Sequence, residues 1–263
     1  MNRIDTLFNT LTVTGKKAFI AYVVAGDPDL ERTVDIVSGL ERAGVDLIEL
    51  GIPFSDPLAD GMVNQLGAQR ALASGTTVSG ILDTVKKIRA VSAIPIVLFT
   101  YYNPIFHLGM DHFAKLATDS GVDGVLILDL PPEDAEREFP AGKLKRITLV
   151  TPTTPTERIK KIAPSASGFI YYVSRAGVTG MQDQVAADIA AHISQIRAAS
   201  PLPVCVGFGV SKPEHAAAIA KIADGVIVGS AIVNHIASLG QDADLGEKVR
   251  AFVEPLVKAT HQS

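Results

Sequence analysis

Two carboxylates carry the first chemical signal in this chain. Glu49 interrupts the apolar run Leu47-Ile48-Glu49-Leu50, and Asp60 closes the stretch GIPFSDPLAD that follows it. A carboxylate inside an apolar run has to be paired, neutralised or at work. Side chains alternate along a strand, so Leu47 and Glu49 share one face and Ile48 and Leu50 the other. If Leu47 points into a core, Glu49 points the same way near the strand's C-terminal end. Two carboxyls there suit general acid–base catalysis, with burial raising the pKa of one of them. Local sequence leaves blander readings open. Glu49 could be a structural ion pair, and Asp60 could cap a helix starting at Gly61. Asp129, which ends another apolar run ahead of Pro131-Pro132, reads first as a turn or helix cap.

A second signal lies late in the chain. Ser174-Arg175-Ala176-Gly177-Val178-Thr179-Gly180, Gly207-Phe208-Gly209 and Gly229-Ser230 each follow a short apolar run. Glycines let backbone N–H groups approach a phosphate, and a helix opened by Ser230 would add its N-terminal partial charge. Tight turns without a ligand are the alternative. Other chemistries lack their residues. No Lys falls at the C-terminal end of an apolar run, which disfavours a Schiff base. The 6 His residues lack ligand spacing there, so no metal is expected. There is no G-x-S-x-G, and Cys205 lies mid-run. Acid–base catalysis on a small phosphorylated substrate remains.

The elements that must position these groups repeat along the chain. Strands are expected at Ala18–Val24, Leu47–Leu50, Ile94–Phe99, Gly124–Leu128, Ile147–Val150, Phe169–Val173, Val204–Val206 and Gly225–Val228. Helices are expected at Leu30–Ala43, Thr77–Val91, Asp111–Ser120, Glu133–Phe139, Thr156–Ala163, Val185–Ala199, Lys212–Ala223 and Leu245–Lys258. Apolar strands with little polar alternation, each followed by a helix, predict a parallel α/β sheet. Repeated this often in one chain, they predict a (β/α)8 TIM barrel, with an extra N-terminal helix and 1–263 as a single domain. The longest gap follows the second strand. It predicts an insertion there, with a further helix near Gly61–Ser74, and insertions at such places carry function. Barrel active sites lie at the C-terminal ends of the strands, where both signals fall.

Composition narrows the setting. The net charge of −4 offers no basic footprint for nucleic acid. A single Cys excludes a disulfide framework and fits a reducing compartment. No apolar run reaches the roughly 18 residues of a membrane span, and the polar start MNRIDTLFNT is unlike a signal peptide. The expectation is a cytoplasmic protein with no membrane partner.

The block Glu49-Leu50-Gly51-Ile52-Pro53-Phe54-Ser55-Asp56-Pro57-Leu58-Ala59-Asp60-Gly61 resembles the signature of the tryptophan synthase alpha chain family. The resemblance continues in order through Ala25-Gly26-Asp27-Pro28, Tyr101-Tyr102-Asn103-Pro104, the 174–180 segment and Gly207-Phe208-Gly209-Val210-Ser211. It implies a TIM barrel that cleaves indole-3-glycerol phosphate to indole and glyceraldehyde 3-phosphate. Glu49 and Asp60 would be the catalytic carboxylates. Phosphate would meet Gly180, Gly209, Gly229 and Ser230, and Tyr22, Tyr171 and Phe208 would surround the substrate. Thr179 would sit on a mobile loop closing over Asp60. The chain itself would need no cofactor. A beta chain carrying pyridoxal phosphate would be its partner in an alpha2-beta2 heterotetramer, docking on apolar loops that include Ile52-Pro53-Phe54 and 101–106. The sequence departs from the family pattern at Met62-Val63-Asn64, where Pro and an apolar pair are usual, and at Tyr22, where Phe is common.

Overall fold

The structure is a computed structural model, and it describes residues 1–139, 142–174, 183–207 and 209–263. Helix α1 (Arg3–Thr14) precedes β1 (Ala18–Val24). Then come α2 (Leu30–Arg42), β2 (Leu47–Gly51), α3 (Met62–Ala73), α4 (Val78–Arg89), β3 (Ile96–Thr100), α5 (Tyr102–Phe106), α6 (Met110–Ser120) and β4 (Gly124–Ile127). The chain continues through α7 (Pro132–Glu138), β5 (Lys145–Arg146), β6 (Thr148–Val150), α8 (Thr156–Ile162), β7 (Ile170–Val173) and α9 (Asp183–Ala199). It ends with β8 (Val204–Gly207), α10 (Pro213–Ala220), β9 (Gly225–Val228), α11 (Ser230–Leu239) and α12 (Leu245–His261).

The strands run parallel in the order β5-β4-β3-β2-β1-β9-β8-β7-β6. β5 and β6, at the two ends of that order, are halves of one strand broken at Ile147. The Ile147 N–H donates to the Val125 carbonyl at 2.9 Å, and β6 pairs with β7. The sheet thus closes into the expected barrel, with one lapse. β4 pairs with β5 only at Gly124 and Val125, and no ladder joins β4 to β6 among the described residues.

Alternation sorts the side chains into two cores. Ile20, Leu47, Val97, Leu126, Phe169, Cys205 and Ile227 fill the barrel interior, and Ile4, Phe8 and Leu11 of α1 close it from below. Phe19, Ala21, Ile48, Leu50, Ile96 and Leu98 point outward against the helices. The extra helix therefore plugs the end of the barrel opposite the site. The helix starts follow their caps: Asp29 accepts from the Arg32 N–H at 2.8 Å, and Gly121 ends α6 at φ 93°.

Two expectations are corrected. The stretch after β3 is helix α5 rather than open loop, because the Asp129 carboxylate accepts the Tyr102 N–H at 2.6 Å. Asp129 thus anchors a neighbouring connection, not its own turn. The apolar loops also fold largely inward: Ile52, Tyr101 and Ile105 are buried. Among the large apolar side chains left exposed are Leu58 and Phe106 of these connections and Met62 and Leu66 of α3.

At the barrel's lower end Asp123 joins three elements. It accepts from Arg3 at 2.9 Å, from Arg89 at 2.8 Å and from the Ile96 N–H at 2.9 Å. Removing one partner of a buried pair leaves the other charge uncompensated. Asp123→Ala is expected to cost about 3–5 kcal/mol in urea unfolding, with Asp123→Asn closer to wild type because it keeps the acceptor for Ile96.

Candidate active site

Strand β2 carries Glu49 inward, as its alternation requires. Its Cα is registered with Tyr22 on one side and Val97 on the other. Glu49 is fully buried, and neither carboxyl oxygen has a hydrogen-bond partner among the described residues. Burial pushes its pKa from 4.5 to about 8. No cation among the described residues offsets that burial, so they hold no ion pair for Glu49, and its raised pKa keeps it mainly protonated at pH 7.

Asp60 sits in a different setting. The Tyr101 hydroxyl donates to its Oδ2 at 2.9 Å. Burial raises its pKa, and the Tyr101 hydroxyl and the nearby Asn64 amide oppose the rise. The Ala59 N–H donates to the Tyr101 oxygen at 3.0 Å, fixing the phenol between loop and carboxyl. Asp60 does not cap α3; the N-cap position is Gly61, which makes no side-chain cap. Phe54 packs on Tyr101 with ring centroids 5.3 Å apart. Arg70 in α3 grips the buried Asp27 at 2.8 and 2.7 Å, tying the insertion to the end of β1.

A cavity of about 650 Å³ opens above these groups. Tyr22, Phe99 and Tyr171 are among its lining residues, as are Asp60, Asn64, Gly207, Gly209, Gly229 and Ser230. Glu49 lies just behind that lining. Tyr22 meets Phe99 edge-on at 5.0 Å. Burial raises the hydroxyl pKa of both Tyr22 and Tyr171, and the charges of Glu49 and Asp60 add to it. Both phenols therefore stay protonated. Two glycines make room for them. A Cβ at Gly51 would overlap the Tyr22 hydroxyl, and one at Gly207 would overlap the Tyr171 hydroxyl. Ser230 begins α11, whose first amides have no partner within the helix.

The structure thus gathers Glu49, Asp60, Tyr22, Tyr171, Gly209, Gly229 and Ser230 at one end of the barrel. Thr179, Gly180 and Phe208 lie outside the described residues. Tyr101 and Asn64 were not among the expected site residues. The alternation Val97, Phe99, Tyr101 would have pointed Tyr101 inward.

The chain matches the family model described as tryptophan synthase alpha chain over residues 8–261. The chain belongs to the tryptophan synthase alpha chain family. A tryptophan synthase alpha chain of Opitutus terrae is 47% identical over 99% of both chains, and that of Geotalea daltonii is 53% identical over 89% of both. The solved alpha subunit of Legionella pneumophila superposes with a TM-score of 0.91 at 39% identity, covering 99% of this chain and 98% of that one. A structure of the tryptophan synthase a2b2 complex from Pyrococcus furiosus matches with a TM-score of 0.84 at 38% identity, over 92% of this chain and 99% of that one. As a tryptophan synthase alpha chain, the protein is a lyase that cleaves indole-3-glycerol phosphate in tryptophan synthesis.

The burial of Glu49 has a stability consequence with a definite sign. Between pH 4.5 and about 8 the folded state holds a proton that the unfolded state has released. Stability contributed by this group is therefore lost as pH rises through that window. Glu49→Gln removes the penalty. The variant is expected to be more stable than wild type by up to roughly 3 kcal/mol at pH 7, and about equal to it at pH 4. Denaturant unfolding across that pH range measures the difference.

Proposed function

We propose that Glu49 and Asp60 divide the proton transfers of indole-3-glycerol phosphate cleavage. The observation that carries this reading is the contrast, at one end of the barrel, between a buried carboxyl with no hydrogen-bond partner among the described residues and a hydrogen-bonded one that lines the cavity. Asp60 takes the indole N–H proton while Glu49 gives its proton to C3. The Glu49 carboxylate then takes the proton of the glycerol hydroxyl next to the ring. The bond from C3 to that carbon breaks, its electrons return through C2 to the ring nitrogen, and Asp60 hands back its proton. Indole and glyceraldehyde 3-phosphate leave, and both carboxyls are restored.

Gly209, Gly229 and Ser230 bind the phosphate by backbone N–H groups and a hydroxyl, Gly180 joins them, and Phe208 lies against the substrate. Tyr22 and Tyr171 flank the indole, and Thr179 closes over Asp60. The whole chain acts as one unit in the cytoplasm, without metal or cofactor of its own. Its partner is a beta chain carrying pyridoxal phosphate, in an alpha2-beta2 assembly. Leu58, at 84% exposed, Met62 at 68% and Phe106 at 60% leave apolar surface around the mouth, and such patches suit a protein partner. The match to a solved a2b2 complex supports the same reading.

Glu49→Gln and Asp60→Asn are each expected to lower kcat about 10²–10⁴-fold in an indole-release assay, with the fold intact. Retention of more than about a tenth of the wild-type rate would contradict the role. Because Glu49 must begin protonated, the wild-type rate is expected to fall as pH rises past about 8.

The phosphate end has its own test. Glycerol phosphate is expected to inhibit competitively and EDTA to have no effect. Gly209 stands at φ 48°, where a branched residue is strained, so Gly209→Val is expected to raise KM sharply. For docking, Phe54 is a poor probe, since it packs on the tyrosine that holds Asp60. Phe106→Ala is expected to weaken binding of a beta chain in a calorimetric titration while basal indole release stays within a few-fold.

A further inference from the structure

The lapse in the barrel wall opens a second cavity, on the flank of the molecule. It measures about 310 Å³ and shares no lining residue with the cavity at the mouth. It lies under α7 and reaches inward between β4 and β6, where the ladder is missing. Its walls are mostly apolar, among them Ile127, Leu130, Phe139 and Leu149. That volume stands at the lower end of small-molecule sites, which run to roughly 300–1,000 Å³.

Its polar lining is lopsided in charge. Arg158 is held by both oxygens of Glu133. Asp129 is engaged by the Tyr102 N–H. Arg146 has no carboxylate partner among the described residues; its guanidinium makes one bond, to the Ala135 carbonyl at 3.2 Å. A half-buried guanidinium with donors to spare, beside an apolar slot, matches a planar carboxylate carrying an apolar tail. A phosphate or a neutral hydrocarbon would satisfy only half of that lining.

We infer that this flank cavity is a binding site for a small amphipathic carboxylate, its head on Arg146 and its tail in the slot between β4 and β6. The pairing gives the fork of Arg146 two acceptors, and the tail covers apolar surface that the missing ladder leaves open. No residue of the acid–base site takes part.

Octanoate serves as the probe and 1-octanol as its neutral counterpart, each titrated calorimetrically into the full-length chain. Octanoate is expected to bind at one site, with the same Kd when the chain is saturated with glycerol phosphate. Arg146→Gln is expected to weaken octanoate tenfold or more and to leave octanol unchanged. Ala135→Trp, which fills the slot from α7, is expected to abolish both. Indole release at the wild-type rate reports that each variant is folded; if one variant does not fold, the other decides. Absence of octanoate binding to the wild-type chain, an unchanged Kd in a folded variant, or competition with glycerol phosphate would overturn the inference.

Discussion

The arrangement rests on one costly feature, a carboxyl buried in an apolar barrel with no hydrogen-bond partner among the described residues. Glu49 keeps its proton to about pH 8 only because water and cations are kept from it. That exclusion is a property of the whole fold. The strand must be flat and paired on both sides to aim the side chain inward, and α1 must seal the far end with Ile4, Phe8 and Leu11. The glycines at 51 and 207 must let two phenol rings lie flush beside it. An opening near Glu49 that admitted water would lower its pKa and remove the proton it has to give.

Asp60 shows the complementary constraint. It is also partly desolvated, yet the Tyr101 hydroxyl donates to it and, with the Asn64 amide nearby, opposes the rise in its pKa. Two carboxyls with environments that push their protonation apart can act as acid and base in the same step. Holding Asp60 this way needs scaffolding of its own. Tyr101 is gripped by the Ala59 N–H and packed by Phe54, and α3 is tied back to β1 through Arg70 and Asp27. The insertion after the second strand is thus a mount for one carboxyl. Asn64, unusual against the family pattern, is part of that mount.

The parts of the site that obey a period were legible in the sequence. Glu49 followed from strand alternation, and the barrel from the recurrence of apolar strands and capped helices. Tyr101 obeys the same alternation as Val97 and Phe99, but a Tyr-Tyr-Asn-Pro stretch reads as surface until the partner carboxylate is known. That partner, Asp60, is 41 residues away. The anchoring of Tyr102 by Asp129 is likewise a contact between connections, and local sequence contains nothing of it. The break at Ile147 was hidden for a different reason. Its neighbours Arg146 and Thr148 are compatible with a continuous strand, and only the limited reach of β4 shows that the ladder stops.

Around the barrel mouth the two proposed tasks fall on separate arcs, divided by β1. The proton-handling groups come from β2, β3 and the insertion, where side chains do the work and residue identity is decisive. The proposed phosphate end comes from β8, β9 and α11, where backbone amides would do the work and the requirement would be chiefly for small residues. Backbone donors at a helix start are fixed by the ladder and need no reorganisation when the anion arrives. A substrate held rigidly at its phosphate presents its indole to the other arc at a set distance. On the proposed reading, the geometry of β9 and β8, two and three strands round the barrel from β2, sets where the indole lies against Glu49 and Asp60.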